Sequence, residues 1–454
     1  MHIAITQPLF AWEALADSPR LGTIQRLFAS IPDAPLLEGR RQHRDRGRND
    51  YPVPVLWGVV LLRMILRHVR FEAVLGELKR NAGLRGLIGL GSEKDVPKAW
   101  NVSRFLEVLG REPHRTPLRE MFETMVGRRV AVVPDLGQNT AGDSTALHAR
   151  AKSEAKAVPA EAAEGLAQPT AGRKEYRDEE GNVTKIVEWF GYKLPLLVDA
   201  KHEVCLAYQT TSAHASDGRT PPALVQQAQA VMPEGRIQTL AYDQAADDGK
   251  VHQVLAEAGI RPVIENRQLW KDEPERLLPG HDGTTNIVYD EAGTLYCYDR
   301  TREPLVKHRM SYIGYEPQRR TIKYRCPARH EGWTCPSEAR CHAGKEYGET
   351  VRVDGTVDLR RFPPIPRATK KFERLYRGRT SVERVNARLR VFWGVDDGNI
   401  TGARRFAGMV GAVMVVPLAF ATLLAAAPRR EGTLGKLRLG PIQEALQPLC
   451  HPSR

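Results

Sequence analysis

Apolar residues recur every three or four positions through "VLWGVVLLRMILRHVRFEAVLGELKRNAGLRGLIGL" (55–90) and again through "VPKAWNVSRFLEVLG" (96–110). A helix returns to the same face at that period, so residues 1–130 are expected to be mostly helical, with Arg63, Arg67, Arg70, Lys79, Arg80 and Arg85 interspersed. From about residue 131 the pattern changes. "AVVPDLGQNTAGDSTALHA", "IVEWFGYKLPLLVDA" and "VCLAYQTTSA" are rich in β-branched and aromatic residues between turn formers, which predicts three antiparallel strands. The Ala-, Glu- and Lys-rich stretch 150–182 between the first two predicts a surface excursion. Helix "PPALVQQAQAVM", strand "IQTLAYD", helix "DDGKVHQVLAEAG" and strand "RPVIEN" follow. The order β-β-β-α-β-α-β describes a mixed α/β sheet with helices on its faces.

Residues 268–370 interrupt this pattern with short strands, many prolines and four of the six cysteines, as expected of a β-rich insertion. The organisation read from the sequence is therefore a helical domain at 1–130, a sheet domain at 131–267, the insertion at 268–370, returning helices at 371–427 and a tail at 428–454. Within the returning part, Phe406 to Ala427 is uncharged and long enough to span a bilayer. It is rich in Ala, Gly and Val and contains Pro417, and no second span accompanies it. It is expected to be a helix pair, or one kinked helix, buried against the large sheet.

Composition adds a partner. A net charge of +13 and a pI near 9.5 favour a polyanion, most often nucleic acid. In "GRRQHRDRGRNDYPVP", Arg40, Arg41, Arg44, Arg46 and Arg48 crowd a stretch too polar for a core, a loop that is either simply solvated or a phosphate contact. The helical region around it suits DNA binding. "MHIAITQPLFAW" lacks the pattern of a secretory signal, and six cysteines in 454 residues suggest no disulfide framework, so a reducing cytoplasm is expected.

Candidate chemistry rests on carboxylates. Phosphodiester chemistry with two divalent cations needs several of them converging on ions about 4 Å apart, and magnesium favours such hard oxygen ligands. Asp143 lies inside the first strand, where an acid is costly unless paired or metal-bound, and Asp243 ends the fourth. Asp135, Asp199, Asp247 and Asp248 compete with them. A third acid, Glu383, stands among five arginines in "YRGRTSVERVNARLR". Thr380-Ser381-Val382-Glu383 also fits a helix-capping box. If the stretch is one helix, Tyr376, Arg379, Glu383 and Arg390 share a stripe, with Arg390 about 10 Å along the axis from Glu383.

These residues resemble the DDE transposases of bacterial insertion sequences, in the group whose last motif is Tyr-x2-Arg-x3-Glu-x6-Lys. Tyr376, Arg379 and Glu383 match in spacing, and Arg390 stands in place of the lysine. "GDSTAL" is similar to the block of the first aspartate. "YDQAADD" is similar to the second, Asp-x-Gly-Tyr-Asp, with Ala245 and Ala246 for Gly and Tyr. "FGYKLPLLVDA" resembles the strand these enzymes carry between the two. The resemblance covers roughly residues 50–425. It implies a ribonuclease H-like fold in which Asp143, Asp243 and Glu383 hold two magnesium ions, or manganese in their place. The strands of the two aspartates would be neighbours. The implied reaction is hydrolysis at transposon ends followed by attack of the freed 3′-hydroxyl on target DNA. Double-stranded DNA is the implied partner, the helical amino-terminal region the reader of inverted repeats, and a homodimer the form in the DNA complex, with no membrane. Arg379, Arg390 and the early arginines Arg40, Arg41 and Arg44 would contact phosphate, with Tyr376 beside the cut end. A relative that binds DNA without cutting it, or a membrane-associated protein using residues 406–427, are the competing readings.

The insertion carries a second candidate. "YRCPARHEGWTCPSEARCHAG" gathers Cys326, His330, Cys335, Cys341 and His342, soft ligands suited to tetrahedral zinc although the spacing is not a standard finger. The expected set is Cys326, Cys335 and Cys341 with one histidine, His342, in a structural role. The alternative is a group of reduced thiols. Cys205 reads as a core residue.

Overall fold

The computed structural model describes residues 19–43, 51–150, 159–178, 182–271, 273–278, 286–299, 301–341, 344–397 and 400–425. The amino-terminal part is helical: α1 (Pro19–Ser30), α2 (Ala34–His43), α3 (Val53–Ile65), α4 (Phe71–Arg80), α5 (Ala82–Leu87), α6 (Ala99–Leu109) and α7 (Arg115–Val132). Helix α3 is apolar on every side and buried along almost its whole length, as such a sequence requires. Its one charge, Arg63, is neutralised inside by Asp397 at 2.6 Å and donates to the Val69 carbonyl at 2.9 Å.

One mixed sheet follows, built from β1 (Asn139–His148), β2 (Thr170–Arg177), β3 (Val183–Asp199), β4 (Cys205–Tyr208), β5 (Thr211–Ser212), β6 (Thr239–Tyr242) and β7 (Arg261–Ile264). Its order is β2-β3-β1-β6-β7, with β4 and β5 also on β3. Strand β3 runs antiparallel to β1, whereas β1, β6 and β7 are parallel. Helices α8 (Pro159–Ala163), α9 (Pro221–Gln229) and α10 (Gly249–Glu257) lie in the connections.

Two expectations change here. The first strand starts at Asn139 rather than near 131, because the β-branched run before it finishes the buried face of α7: Val130 and Val133 both face the core. The stretch 150–182 is more than an excursion. Residues 151–158 and 179–181 lie outside the described residues, but β2 pairs along β3 from Thr170 to Arg177. Its polarity is that of an edge strand, where Arg173, Lys174, Glu175 and Tyr176 are exposed. Glu161 of α8 is itself buried and accepts the backbone N–H of Ala403 at 3.1 Å.

The insertion has β8 (Glu275–Leu277), β9 (Ile287–Asp290), β10 (Leu295–Asp299) and β11 (Val306–Arg309) in one sheet. Strands β12 (Ser311–Glu316), β13 (Thr321–Arg325) and β14 (Thr350–Asp354) form another, with α11 (Pro327–Glu331) and α12 (Glu338–Cys341) between the last two. These pieces enclose a small core of their own, including Leu278, Ile287, Leu295, Ile322, Val351 and Phe362. Asp247 joins insertion to sheet. Its buried carboxylate accepts from Arg360 at 2.7 Å, Arg367 at 3.1 Å, the Arg267 backbone N–H at 2.8 Å and His252 at 3.1 Å.

The chain returns as α13 (Lys370–Tyr376), a 3-10 turn (Arg377–Arg379), α14 (Thr380–Val391) and α15 (Ala403–Ala425). Helix α15 is single and continuous past Pro417, and it packs chiefly on α6 and α7, with α1 and α3 beside it, rather than on the sheet. Its small residues explain the change of neighbour. A Cβ on Gly408 would stand 2.7 Å from the Leu106 carbonyl oxygen, and one on Gly110 would stand 1.7 Å from that of Arg404. Among the described residues α15 is the one helix long and apolar enough to cross a membrane, and 72% of its most apolar window is buried inside the protein. One continuous core thus runs from the amino-terminal helices through the sheet to α14 and α15.

Candidate active site

Strands β1 and β6 pair in parallel from Asn139 opposite Thr239 to Ala141 opposite Ala241. Two residues further along each strand lie Asp143 and Asp243, so the backbone register sets the two acids side by side. The residue between pairing and acid on β1 is Gly142, where a Cβ would stand 2.3 Å from the Tyr242 ring. A side chain there would displace the tyrosine that leads into Asp243. Asp243 also accepts the Ala245 N–H at 3.0 Å, starting a single 3-10 turn.

Burial pushes the Asp143 carboxyl up to about 6, against its Ser144 backbone hydrogen bond, and neighbouring Asp243 adds to the rise while Lys174 and Arg379 oppose it. Asp243 is raised as well, by burial first, against its bond to Ala245 and the pull of Arg379 and Lys174, with Asp217 adding to the rise. Two acids are thus held where their ionisation is unfavourable unless positive charge arrives. Lys174, on the edge strand β2, was missed in the sequence because its segment reads as surface filler.

Glu383 lies in the first turn of α14, which packs on β1. Its carboxylate is half exposed and accepts from Arg379 at 2.7 Å. The capping box is absent: Thr380 donates its hydroxyl to the Arg377 carbonyl, and no side chain caps α14. Burial opposes the Arg379 charge, but Tyr376, Glu383 and Asp143 outweigh it and raise its pKa. The Tyr376 hydroxyl donates to Glu265 at 2.9 Å, at the end of β7.

All five arginines of this stretch have carboxylate partners. Arg377 pairs with Glu373, Arg379 with Glu383, Arg384 and Arg388 with Glu203, and Arg390 with Asp396 at 3.0 Å. Asp396 in turn accepts the His148 N–H at 2.6 Å. His148 ends β1 five residues beyond Asp143, about 17 Å away at strand rise. Arg390 is therefore anchored at the far end of β1, away from the carboxylates. The competing aspartates are occupied structurally. Asp135 binds Lys201 and His202, Asp199 accepts the Gly137 and Lys201 N–H groups, Asp247 forms the joint described above, and Asp248 caps α10.

Of the early arginines, the described ones lie on a helix and not in a loop. Arg40 and Arg41 belong to α2. Arg40 is buried with its guanidinium 5.2 Å from the Phe105 ring, and Arg41 pairs with Glu38 at the surface. A cation stacked under an aromatic ring serves packing, which charge density alone does not disclose. Arg44, Arg46 and Arg48 lie outside the described residues.

Among the described residues no three His, Cys, Asp or Glu side chains are gathered tightly enough to hold a metal ion. For divalent cations the fit is two-thirds made: Asp143 and Asp243 are juxtaposed and short of positive charge, and Glu383 is turned to Arg379. In the insertion, Cys326, Cys335 and Cys341 line one small cavity, and the fourth cysteine there is Cys297. His342 lies outside the described residues. Burial pushes the Cys297 thiol up to about 12, with Cys326, Cys335 and Cys341 adding to it. Cys205 is a buried core residue.

A family model described as the transposase DDE domain matches residues 143–416, more than half of the chain and a span that starts at Asp143 and includes Asp243 and Glu383. Comparison with curated proteins gives no match.

Proposed function

Because the chain belongs to the transposase DDE domain family of insertion sequences, we propose that it cleaves DNA at the ends of such an element and joins them to a target, with Asp143, Asp243 and Glu383 as its catalytic acids. The observation that carries this reading is the register of β1 and β6, which sets Asp143 beside Asp243 on neighbouring parallel strands. The neighbouring strands and the returning helix α14 are consistent with a ribonuclease H-like catalytic unit. In this reading it comprises residues 131–267 and 371–427, with 268–370 inserted and 1–130 reading the inverted repeats.

Asp143, Asp243 and Glu383 would hold two magnesium ions, which would supply activation of the attacking oxygen and stabilisation of the leaving one. Asp143 and Asp243 hold their carboxylates rigidly on the sheet, and Glu383 completes the set when its carboxylate leaves Arg379. The freed guanidinium then faces the same cleft and offers a planar fork to a backbone phosphate. Lys174 supplies a second positive charge from β2. Tyr376, tethered to Glu265, forms the wall on the α13 side. Two DNA ends have to be handled together for strand transfer, so a homodimer is the form expected in the DNA complex.

The test is cleavage of a DNA duplex carrying the element's ends, with and without magnesium. Metal-dependent nicking by the wild type, abolished in Asp143→Asn and Asp243→Asn, is the expected result. Nicking that persists in both variants would sink the assignment.

A further inference from the structure

Four cysteines from four separate places in the insertion meet at one cavity of about 30 Å³: Cys297 in β10, Cys326 at the start of α11, Cys335 in the loop after it and Cys341 at the end of α12. We propose that these four thiols form a structural zinc site, with Cys297 rather than His342 as the fourth ligand. The cavity has room for one ion. Tetrahedral zinc with four sulfur ligands at about 2.3 Å is a standard structural arrangement.

Local contacts prepare each ligand. Asp299, two residues after Cys297 on β10, accepts the Ser337 hydroxyl at 2.7 Å and so ties the segment carrying Cys335 and Cys341 onto the strand of Cys297. The Cys326 N–H donates to the Glu349 carbonyl at 2.7 Å. At Gly348, whose φ is +69°, a Cβ would stand 2.6 Å from the Cys326 Cβ and 3.3 Å from its sulfur, so only glycine leaves that side chain its place. The four thiols line the cavity, but no three of them are yet gathered as metal ligands; zinc binding would require their side chains to rotate inward. His308 is opposite Cys297 in the strand register, but its ring centroid stands 4.8 Å from that of Trp333.

The insertion has reason to need such a staple. Its core is small, its strands are short, and α11 and α12 have five and four residues. Segments of that size rarely hold themselves in place by apolar burial alone. Zinc would fasten the α11–α12 excursion to β10 across the two small sheets.

The site is tested on the full chain, purified under reducing conditions, by elemental analysis after dialysis against metal-free buffer. About one zinc per chain is expected in the wild type, falling to the background level in Cys297→Ser, while His342→Ala, His308→Ala and Cys205→Ser retain it. Should Cys297→Ser fail to fold, cobalt exchanged into the wild type reads the ligand set directly. Tetrahedral d–d bands with charge transfer from four sulfurs support the assignment, and a three-sulfur, one-nitrogen spectrum overturns it. Wild-type protein without zinc, with its thiols titrating freely or as disulfides, also overturns it. So does zinc lost in His342→Ala and kept in Cys297→Ser.

Discussion

Asp143 and Asp243 project from strands inside the one continuous core that runs from the amino-terminal helices to α15, whereas Cys297, Cys326, Cys335 and Cys341 project from the separate small core of the insertion. The carboxylates are fixed by backbone register, partly open to solvent and short of positive charge. Glu383, their proposed third member, sits on a helix and is paired with Arg379. The thiols come from a strand, two short helices and a loop, and surround a cavity with no room for a substrate. The first arrangement suits ions and a polyanion that come and go, the second an ion that stays. A large core can tolerate two uncomfortable acids, and a small one cannot.

The sharpest break of this comparison removes one acid. Asp143→Asn or Asp243→Asn should lower metal-dependent DNA cleavage on the order of 10³-fold or more, about 4 kcal/mol in barrier, while leaving the zinc content of the insertion untouched. Cleavage rates and elemental analysis on the same preparation check both halves.

The two regions meet at Asp247, and breaking that joint is expected to cost about 3 kcal/mol. Asp247→Asn leaves Arg367 buried without its salt-bridge partner and Arg360 with only Glu291, at 3.8 Å. Denaturant unfolding should show the loss, with the insertion melting ahead of the sheet. A variant as stable as wild type would mean that the two cores are held together elsewhere.

How much of this was readable beforehand follows from distance along the chain. Asp143 and Asp243 were legible because a charged residue inside or at the end of an apolar strand stands out from its own neighbours. The fate of the arginines was not. Arg390 is claimed by Asp396 only six residues on, but through a turn that periodicity does not reveal, and Arg384 and Arg388 by Glu203 from the turn after β3. Arg40 looked like a phosphate contact because sequence records its charge but not the ring of Phe105 above it. Cys297 was overlooked as a partner of the other three because tertiary contact across the insertion, not spacing, brings it to them. Helix α15 was recognised as apolar, but its neighbour was misjudged, since glycines that admit close helix packing look the same as glycines that line a sheet.

The charge shortage at the aspartates makes a prediction about stability. The folded-state pKa of Asp143, about 6, lies above its ordinary value of 3.8. Folding therefore takes up a proton between those pH values, and stability falls as pH rises from roughly 4 to 6. Above pH 6 the full penalty stands, about 3 kcal/mol at 1.36 kcal/mol per unit. In chelator, Asp143→Asn should be more stable than wild type by up to that amount at pH 8, and no more stable at pH 3.5. Magnesium should close most of the gap by stabilising the wild type alone. Thermal melts across pH with and without magnesium test each arm, and a variant no more stable than wild type at pH 8 would refute the strain.

Lys174 gives the smallest effect and the finest separation of the two regions. It is exposed on β2 and lowers the pKa of both Asp143 and Asp243. If the cleft receives a DNA backbone, Lys174→Ala removes one phosphate contact. The slope of log affinity against log salt should then shrink by about 1, and binding should weaken by roughly 1 kcal/mol at moderate salt, equally for any sequence. Arg319, similarly exposed at the hairpin between β12 and β13 of the insertion, is the matched control. Arg319→Ala should leave the slope unchanged, because in this reading the DNA follows the carboxylate cleft and not the β12–β13 hairpin, where Arg319 lies near Glu316. Equal slopes for Lys174→Ala and wild type would remove β2 from the DNA path, and a reduced slope for Arg319→Ala would place the insertion on it. In either case the division between an open carboxylate cleft and a closed thiol staple would have to be redrawn.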